Sequence, residues 1–464
     1  MTMSRTITII GAGLAGSLLA LMLARRGLQV DVFERRADMR KGSAEGGRSI
    51  NLALANRGLA ALDRAGLADE VRTLLTTMRG RMVHDLDGSE DLQAYGQRDE
   101  EVIYSVSRGG LNALLMDAAE RHPGVNLHFE HACTHVDYRA QTLTLEDLNT
   151  GTQHHVTTGP VICADGASSR LRRALVEQCG AVATEDFLAH DYKELTIPAA
   201  DDGGYRFDPE ALHIWPRGGF MMIALPNKDA TFTATLFAPA EGPNGFSELQ
   251  TDAAIDAYFA RHFPDIVPHM PALAEQFQQN PQGRMVTVHC RPWHTGAFAV
   301  LIGDASHAIV PFHGQGMNAA FEDCAQMDEL IGAALAQADG DGDAIDYRAL
   351  FARFEALRKP NADAIAQMAL ENYVEMRDSV RDPVFLRRRE LGFELERRHP
   401  EVFIPRYSMV MFRLLPYAHA RRRGEAQQRI LEQVIPDEHV TEIDHALADR
   451  LVQQELVPLI DDLG

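Results

Sequence analysis

Residues 6–34 read TITIIGAGLAGSLLALMLARRGLQVDVFE. The β-branched run at its start feeds directly into Gly11-Ala12-Gly13-Leu14-Ala15-Gly16, a helix-patterned segment follows to Arg26, and Val30-Asp31-Val32-Phe33 reads as a second strand ending in Glu34. Strand, G-x-G-x-x-G, helix, strand and acid, in that order, form the pattern of a dinucleotide-binding βαβ unit. Gly11 permits the tight turn, Gly13 lets the backbone approach a pyrophosphate at the helix N-terminus, and Gly16 lets helix and strand pack closely. Glu34, roughly two dozen residues past Gly11, is placed to accept hydrogen bonds from a ribose. On this stretch alone NAD and FAD both remain open.

The rest of the chain bounds the class. At 464 residues, with 45% hydrophobic and 24% charged residues, the composition is that of a globular protein of more than one domain. The 45 basic against 66 acidic residues leave a net charge of -21, which argues against nucleic acid or an anionic membrane surface as a partner. The basic runs Arg387-Arg388-Arg389 and Arg421-Arg422-Arg423 lie in charged, helix-patterned stretches and read as solvated helix faces. Cys133, Cys163, Cys179, Cys290 and Cys324 are widely spaced, with no C-x-x-C; this suits a reducing cytoplasm and offers no zinc site. The apolar N-terminal segment is broken by glycines and closed by Arg25-Arg26, so it reads as the start of a fold and not as a signal peptide. No stretch approaches about 18 consecutive apolar residues, so no membrane span is expected.

Two later stretches decide the cofactor. Residues 160–170, PVICADGASSR, run from a strand into an Asp-Gly turn and a helix start, and residues 301–324 read LIGDASHAIVPFHGQGMNAAFEDC. These resemble the A-D-G-x-x-S and G-D-A-x-H-x-x-x-P-x-x-G-Q-G-x-N motifs of single-component FAD-dependent aromatic hydroxylases. The resemblance implies an α/β fold, a Rossmann-like FAD-binding domain with an inserted β-sheet substrate domain and a C-terminal helical region. It implies non-covalently bound FAD, with Asp165 and Asp304 among its contacts. The backbone N–H groups of Gly316, Met317 and Asn318, at a helix start, would stabilise the negative charge of a reduced flavin ring. With the one fingerprint taken by FAD, the nicotinamide cofactor is a transient co-substrate.

Further segments narrow the family. GRSINLALANRGL at 47–59, GRMVH at 80–84, YSVSR at 104–108, YKEL at 192–195, LHIWPR at 212–217, FMMIALPN at 220–227, NYVEMR at 372–377 and FIPRY at 403–407 are similar, in order and over nearly the whole chain, to the kynurenine 3-monooxygenase family. What that resemblance implies is hydroxylation of L-kynurenine to 3-hydroxykynurenine with NADPH and O2 through a flavin C4a-hydroperoxide, a step of tryptophan catabolism and NAD biosynthesis. Arg81 and Tyr95, with Asn372 and Tyr407, would surround the amino-acid end of the substrate, Arg81 pairing with the carboxylate through its planar fork. Tyr104 competes with Tyr95 for that place. Phe312 and His313 would line the ring pocket, His313 by packing or hydrogen bonding, and Arg48 and Arg108 would contact flavin or phosphate. An aniline donates electrons as a neutral group, so no acid or base is assigned.

The expected organisation is a discontinuous FAD-binding domain at 1–78, 99–180 and 290–330, a substrate-binding β-sheet domain at 79–98 and 181–289, and a helical region at 331–464. Residues 220–225 and 231–237 read as sheet. Eukaryotic members of the family end in a membrane-anchoring helix. Residues 451–464 of this chain carry Glu455, Asp461 and Asp462, which implies a soluble cytoplasmic form, monomer or homodimer, with an apolar face at 452–459 available to a partner. Another aromatic hydroxylase, a flavin reductase, a halogenase-like relative and a non-catalytic flavin-binding module are the competing readings. Consumption of NADPH with and without kynurenine separates them.

Overall fold

The strand Thr6–Ile10 lies inside a parallel sheet, flanked by Gln29–Phe33 on one side and Val161–Cys163 on the other, with Val125–His128 and Ala299–Leu301 beyond them. In the computed structural model residues 6–42, 51–440 and 442–459 are described. They divide into two units: Met1–Leu75, Val106–Phe187 and Val286–Ala366 form the first, and Thr76–Ser105, Leu188–Met285 and Gln367–Gly464 the second.

In the first unit the central strands are buried on both faces, and Ile7, Ile9, Val30, Val32, Val161, Ile162 and Val300 are all apolar and inside, as expected of a parallel sheet covered on both sides. The chain moves outward from Thr6–Ile10 through Gln29–Phe33 to Val125–His128, then returns to the other side through Val161–Cys163 and Ala299–Leu301. The carboxyl ends of Thr6–Ile10 and Val161–Cys163 therefore form a topological switch point, the place where open α/β sheets bind ligands. Helix Leu14–Arg25 buries every residue from Gly16 to Ala24, so it is an interior helix with no solvated stripe. Helix Gly316–Gln337 packs on it, Cys324 Sγ lying 3.3 Å from the carbonyl of Ala15.

That second helix carries a fully buried carboxylate, Asp323. Its Oδ2 accepts from the backbone N–H of Gly303 at 2.9 Å and lies 2.6 Å from His307 Nε2, while its Oδ1 accepts from Arg358 Nε at 2.7 Å. Every donor is supplied by the chain, and the Gly303–Asp304 turn is tied to the helix.

The second unit is built on an antiparallel arrangement of Val182–Ile197, Phe232–Pro239, Met221–Pro226 and Ala211–Pro216, paired from His190 onward in the first of these. Ala211–Pro216 runs parallel to Gly80–His84, which pairs antiparallel with Glu90–Ala94. The expected strands at 220–225 and 231–237 are present as Met221–Pro226 and Phe232–Pro239. The stretch read as a sheet insert also contains two helices, Asp252–His262 and Leu273–Gln279. Ile255, Phe259, Leu273 and Phe277 on these helices close the core around Trp215 and Phe232.

The C-terminal part of this unit folds as the helices Pro383–Arg398, Arg406–Met411, Tyr417–Val434 and His445–Glu455. The apolar face expected to meet a partner turns inward instead, because Val452 and Leu456 pack with Leu391, Leu395, Phe403 and Ile430. Nor are the basic runs simply solvated. Arg423 is buried, and its Nη2 donates to the carbonyls of Val402 and Val457, the latter at 2.6 Å. Arg388 donates to the carbonyls of Ile435 and Pro436, both at 2.9 Å. Segment carbonyls left over by loops and helix ends need donors, and a five-donor guanidinium supplies several at once. Among the described residues no helix is long and apolar enough to cross a membrane.

Burial alone would push the Asp323 carboxyl up, but His307 and Arg358 outweigh it and hold it at about 2. A carboxyl depressed from an unfolded value of about 3.9 contributes stability above that value and loses it as the pH falls toward 2. Acid unfolding of the wild type should therefore steepen between about pH 4 and pH 2, by ~2 kcal/mol from this group, and Asp323→Asn should flatten that part of the profile. Asp323→Ala removes the acceptor of Arg358 Nε and the partner of His307, Arg358 keeping Glu322 and the Ala319 carbonyl, and should cost about 3 kcal/mol in urea unfolding. An acid limb unchanged in Asp323→Asn would remove this assignment.

Candidate active site

The residues of the glycine fingerprint meet the switch point through backbone contacts. Gly11 has φ +105°, and a Cβ there would lie 2.4 Å from the carbonyl oxygen of Ala164; a Cβ on Gly16 would lie 1.9 Å from the carbonyl of Gly11. Neither position admits a side chain. At Gly13 a Cβ would meet nothing within 4 Å, so the space over this helix start is open. Glu34 stands past the end of its strand, its Oε2 accepting from the N–H of Ala12 at 2.9 Å and its Oε1 from the N–H of Arg36 at 3.0 Å. Each carboxylate oxygen retains acceptor capacity beyond these bonds.

Asp165 follows the strand Val161–Cys163. Its Oδ2 accepts from the N–H of Arg170 at 2.9 Å, whereas its Oδ1 is buried without a hydrogen-bond partner. Burial raises its pKa, against the opposing bonds from Ser169 and the backbone. A buried bare acceptor is costly unless a donor reaches it. Asp304 is exposed at the start of the short helix Asp304–His307. Gly316, Met317 and Asn318 open the helix Gly316–Gln337, and its first N–H groups have no partner four residues back. The Asn318 side chain is engaged elsewhere: its Oδ1 accepts from the N–H of Ala55 at 2.9 Å and its Nδ2 donates to Ala53 and Gly314 carbonyls, both at 2.8 Å. Phe312 and His313 are buried in the single turn Pro311–His313. Arg108 is exposed at the first position of helix Arg108–Glu120. Arg48 lies outside the described residues.

An open glycine turn at a helix N-terminus, a second helix start and a buried acceptor without a donor together fit a phosphate- and hydroxyl-bearing dinucleotide.

In the second unit Arg81, Tyr95, Asn372 and Tyr407 come together, although they are far apart in sequence. Arg81 is on the strand Gly80–His84, and Tyr95 immediately follows Glu90–Ala94. Arg81 Nη1 donates to Glu375 Oε1 at 3.2 Å and Nη2 to Asn372 Oδ1 at 3.5 Å. The guanidinium carbon lies 5.3 Å from the Tyr407 ring centre and 5.9 Å from that of Tyr95. The two rings stack at 5.3 Å and 12°. Burial would lower the pKa of Arg81, but Glu375, then Tyr407 and Tyr95, outweigh it and raise the value. Burial pushes the Tyr95 hydroxyl up to about 12 and that of Tyr407 well above its usual range. Near neutral pH Arg81 is thus a fixed cation and the two phenols are neutral, beside the Asn372 amide and the Glu375 side chain. Tyr104, the alternative to Tyr95, sits on Ile103–Ser107 opposite Thr77.

Two residues of these constellations were not singled out by sequence. Glu375 is one; it stands three residues after Asn372 and opens the π-helical turn Glu375–Ser379, and the i, i+3 spacing on one helical face was the available signal. Asp323 is the other, an acid within an otherwise apolar helix face.

A family model described as FAD binding domain matches residues 4–367. The chain is 50% identical to the kynurenine 3-monooxygenase of Stenotrophomonas maltophilia (strain K279a), over 92% of each chain. It is 45% identical to that of Myxococcus xanthus (strain DK1622), over 98% of this chain and 97% of the relative. The chain belongs to the kynurenine 3-monooxygenase family. Solved structures share the fold: 2-methyl-3-hydroxypyridine-5-carboxylic acid oxygenase matches with a TM-score of 0.64 at 20% identity, over 82% of this chain and 95% of that one. p-Nitrophenol 4-monooxygenase PnpA from Pseudomonas putida DLL-E4 matches with 0.64 at 17% identity, over 85% and 94%. FAD is accordingly the cofactor of this kynurenine 3-monooxygenase family member.

If the bare Oδ1 of Asp165 takes a hydroxyl of that FAD, Asp165→Ala should weaken flavin retention by on the order of 10- to 100-fold. The ratio of flavin to protein absorbance after gel filtration reads this. Full occupancy in the variant would show that the acid serves only the turn.

Proposed function

We propose that the chain hydroxylates L-kynurenine at the ring carbon beside its aniline nitrogen, consuming NADPH, a proton and O2 and yielding 3-hydroxykynurenine, NADP+ and water. The observation that carries this reading is the buried Arg81 ringed by Tyr95, Asn372, Glu375 and Tyr407. Its groups complement both charges of an α-amino acid: the guanidinium and two phenol O–H groups suit a carboxylate, and the Glu375 carboxylate with the Asn372 oxygen suits an ammonium. The relatives named kynurenine 3-monooxygenase support the same substrate.

Gly11, Gly13 and Gly16 would leave the pyrophosphate of FAD its place at the helix start, Glu34 would accept from the ribose, and Asp165 and Asp304 would take hydroxyl groups. Arg48 and Arg108 would meet phosphate or flavin. The N–H groups of Gly316, Met317 and Asn318 would face the part of the ring that gains negative charge. Bound FAD supplies electron acceptance from NADPH and activation of O2. Phe312 and His313, both buried, would line the pocket of the aromatic ring. No side chain need remove a proton before hydroxylation, because the neutral aniline already activates the ring. The discontinuous flavin domain, the sheet-borne substrate domain and the C-terminal helices divide these tasks. The enzyme works in the cytoplasm, as monomer or homodimer, without nucleic acid.

The direct test is NADPH oxidation by the FAD-loaded protein with chromatographic detection of 3-hydroxykynurenine. Absence of that product, with flavin bound and kynurenine saturating, would sink the reading. Arg81→Ala should lower kcat/KM for kynurenine by roughly thirty- to several-thousand-fold, the equivalent of about 2 to 5 kcal/mol for truncating one side of a desolvated charge pair. FAD content should stay normal. Arg81→Lys should recover only part, since an ammonium lacks the planar fork. Tyr407→Phe, losing one hydrogen bond to a charged group worth about 1.5 to 3 kcal/mol, should act mainly on KM. If Arg81→Ala keeps wild-type kcat/KM, the clamp is wrongly placed.

A further inference from the structure

The charge balance around Arg81 contains a problem. Arg81 is already paired with Glu375 at 3.2 Å, so a carboxylate arriving there must share a neutralised guanidinium and face a like charge. A second cation would resolve this, and one is at hand on helix Pro383–Arg398. Arg389 Nη2 donates to the carbonyl of Ala94, and its guanidinium carbon lies 4.9 Å from the ring centre of Phe393.

Ala94 is well placed to connect the two. It stands opposite Gly80 in the ladder, one step from the Arg81–Gln93 pair, and Tyr95 follows it directly. Directly opposed and diagonal ladder neighbours lie within about 4.5 to 8 Å of one another. The N–H of Tyr95 is itself bonded to the carbonyl of Arg79 at 3.0 Å, so the backbone held by Arg389 leads into Tyr95 and is paired with the strand that carries Arg81. Its neighbours on the same helix reach the same segment: Gln97 Nε2 donates to the carbonyl of Phe393 at 3.0 Å and to Glu396 at 2.7 Å.

Arg389, like Arg387 and Arg397 on the same helix, forms no ion pair among the described residues, and of these three it is the one bonded to the Ala94 carbonyl. Arg388 has Glu432 at 3.8 Å, and Arg398 has Glu394 and Asp449. Burial, then the like charge of Arg81, lowers the pKa of Arg389, while Glu375, Asp91 and Glu390 act in the opposite sense. The two guanidinium groups thus act on each other, and an anion bound at Arg81 would lie in the field of both.

We propose that Arg389 is a positioning residue and second cation of the amino-acid clamp, held on the Ala94 carbonyl, and that it makes the clamp select ligands with an anionic end group. This rests on the reading of Arg81 as the partner of the kynurenine carboxylate and adds its specificity. Arg389 does not touch the substrate. It acts through the position of Ala94 and Tyr95 and through its field at Arg81.

A purely structural arginine would affect all substrates alike; a field acting on a carboxylate would not. The test compares kcat/KM for L-kynurenine and for L-kynurenine amide, whose carboxylate is replaced by a neutral group, in the FAD-loaded wild type, Arg389→Gln and Arg389→Lys. Arg389→Gln should lose on the order of tenfold for kynurenine, mostly in KM, and change little for the amide. Arg389→Lys keeps the charge and should retain most of the preference for kynurenine. Equal losses for both substrates in Arg389→Gln, or no loss, would overturn the proposal while leaving the hydroxylase reading intact. Should Arg389→Gln fail to fold with FAD, Arg389→Lys decides: a preference reduced to that of Arg81→Ala would overturn a role for charge. A wild type that does not distinguish the two substrates would overturn both the carboxylate clamp and this proposal.

Discussion

A methyl group on Gly16 would have to sit 1.9 Å from the carbonyl oxygen of Gly11, and no rearrangement of a side chain relieves that collision. The first unit is organised by this constraint. Because the helix Leu14–Arg25 comes so close to the turn that precedes it, its N-terminus lies at the carboxyl end of the strand Thr6–Ile10. Gly11 in turn leaves no space against Ala164, so the loop that carries Asp165 is held against the fingerprint by backbone contact. A helix start and a buried bare acceptor are thereby gathered at the switch point of the sheet, where open α/β sheets bind ligands.

Each unit also buries a cation beside an anion, and the two pairs differ in kind. Asp323 receives donors from Gly303, His307 and Arg358, so its charge is closed off by the chain and serves to hold the Gly303–Asp304 turn. Arg81 faces two phenols and an amide as well as Glu375. Glu375 shares that charge, but the phenols and the amide are neutral and do not consume it, which leaves polar groups free to meet a further ligand. Desolvation makes both pairs expensive to break, but only the second has chemistry left to offer.

The C-terminal helices belong to this second arrangement. Gln427 Nε2 donates to the carbonyl of Ile404 at 2.8 Å, and Arg423 spans the carbonyls of Val402 and Val457. The segment that leads into Tyr407 is therefore fixed by buried polar side chains of the helix Tyr417–Val434. These bonds satisfy loop carbonyls that no sheet or helix partner reaches. Residues with high charge and helical spacing become interior struts in this way.

Sequence by itself determined the local chemistry of this protein. The spacing of Gly11, Gly13 and Gly16, the acid at 34, the Asp-Gly turn at 165 and the Gly-Gln-Gly helix start at 314–316 were legible because each function there needs a backbone conformation or a helix end, which neighbouring residues specify. The strands at Met221–Pro226 and Phe232–Pro239 were also legible locally, the first as a short unbroken apolar run and the second through its β-branched and aromatic content. Tertiary structure alone decided which charges are partnered. Nothing adjacent to Glu375 announces Arg81, nothing around Asp323 announces Arg358, and the Arg421–Arg423 run has the composition of a solvated surface. Burial, which depends on segments hundreds of positions away, converts such residues from solvated charges into fixed partners. That conversion is a property of the packed chain and not of any window along it.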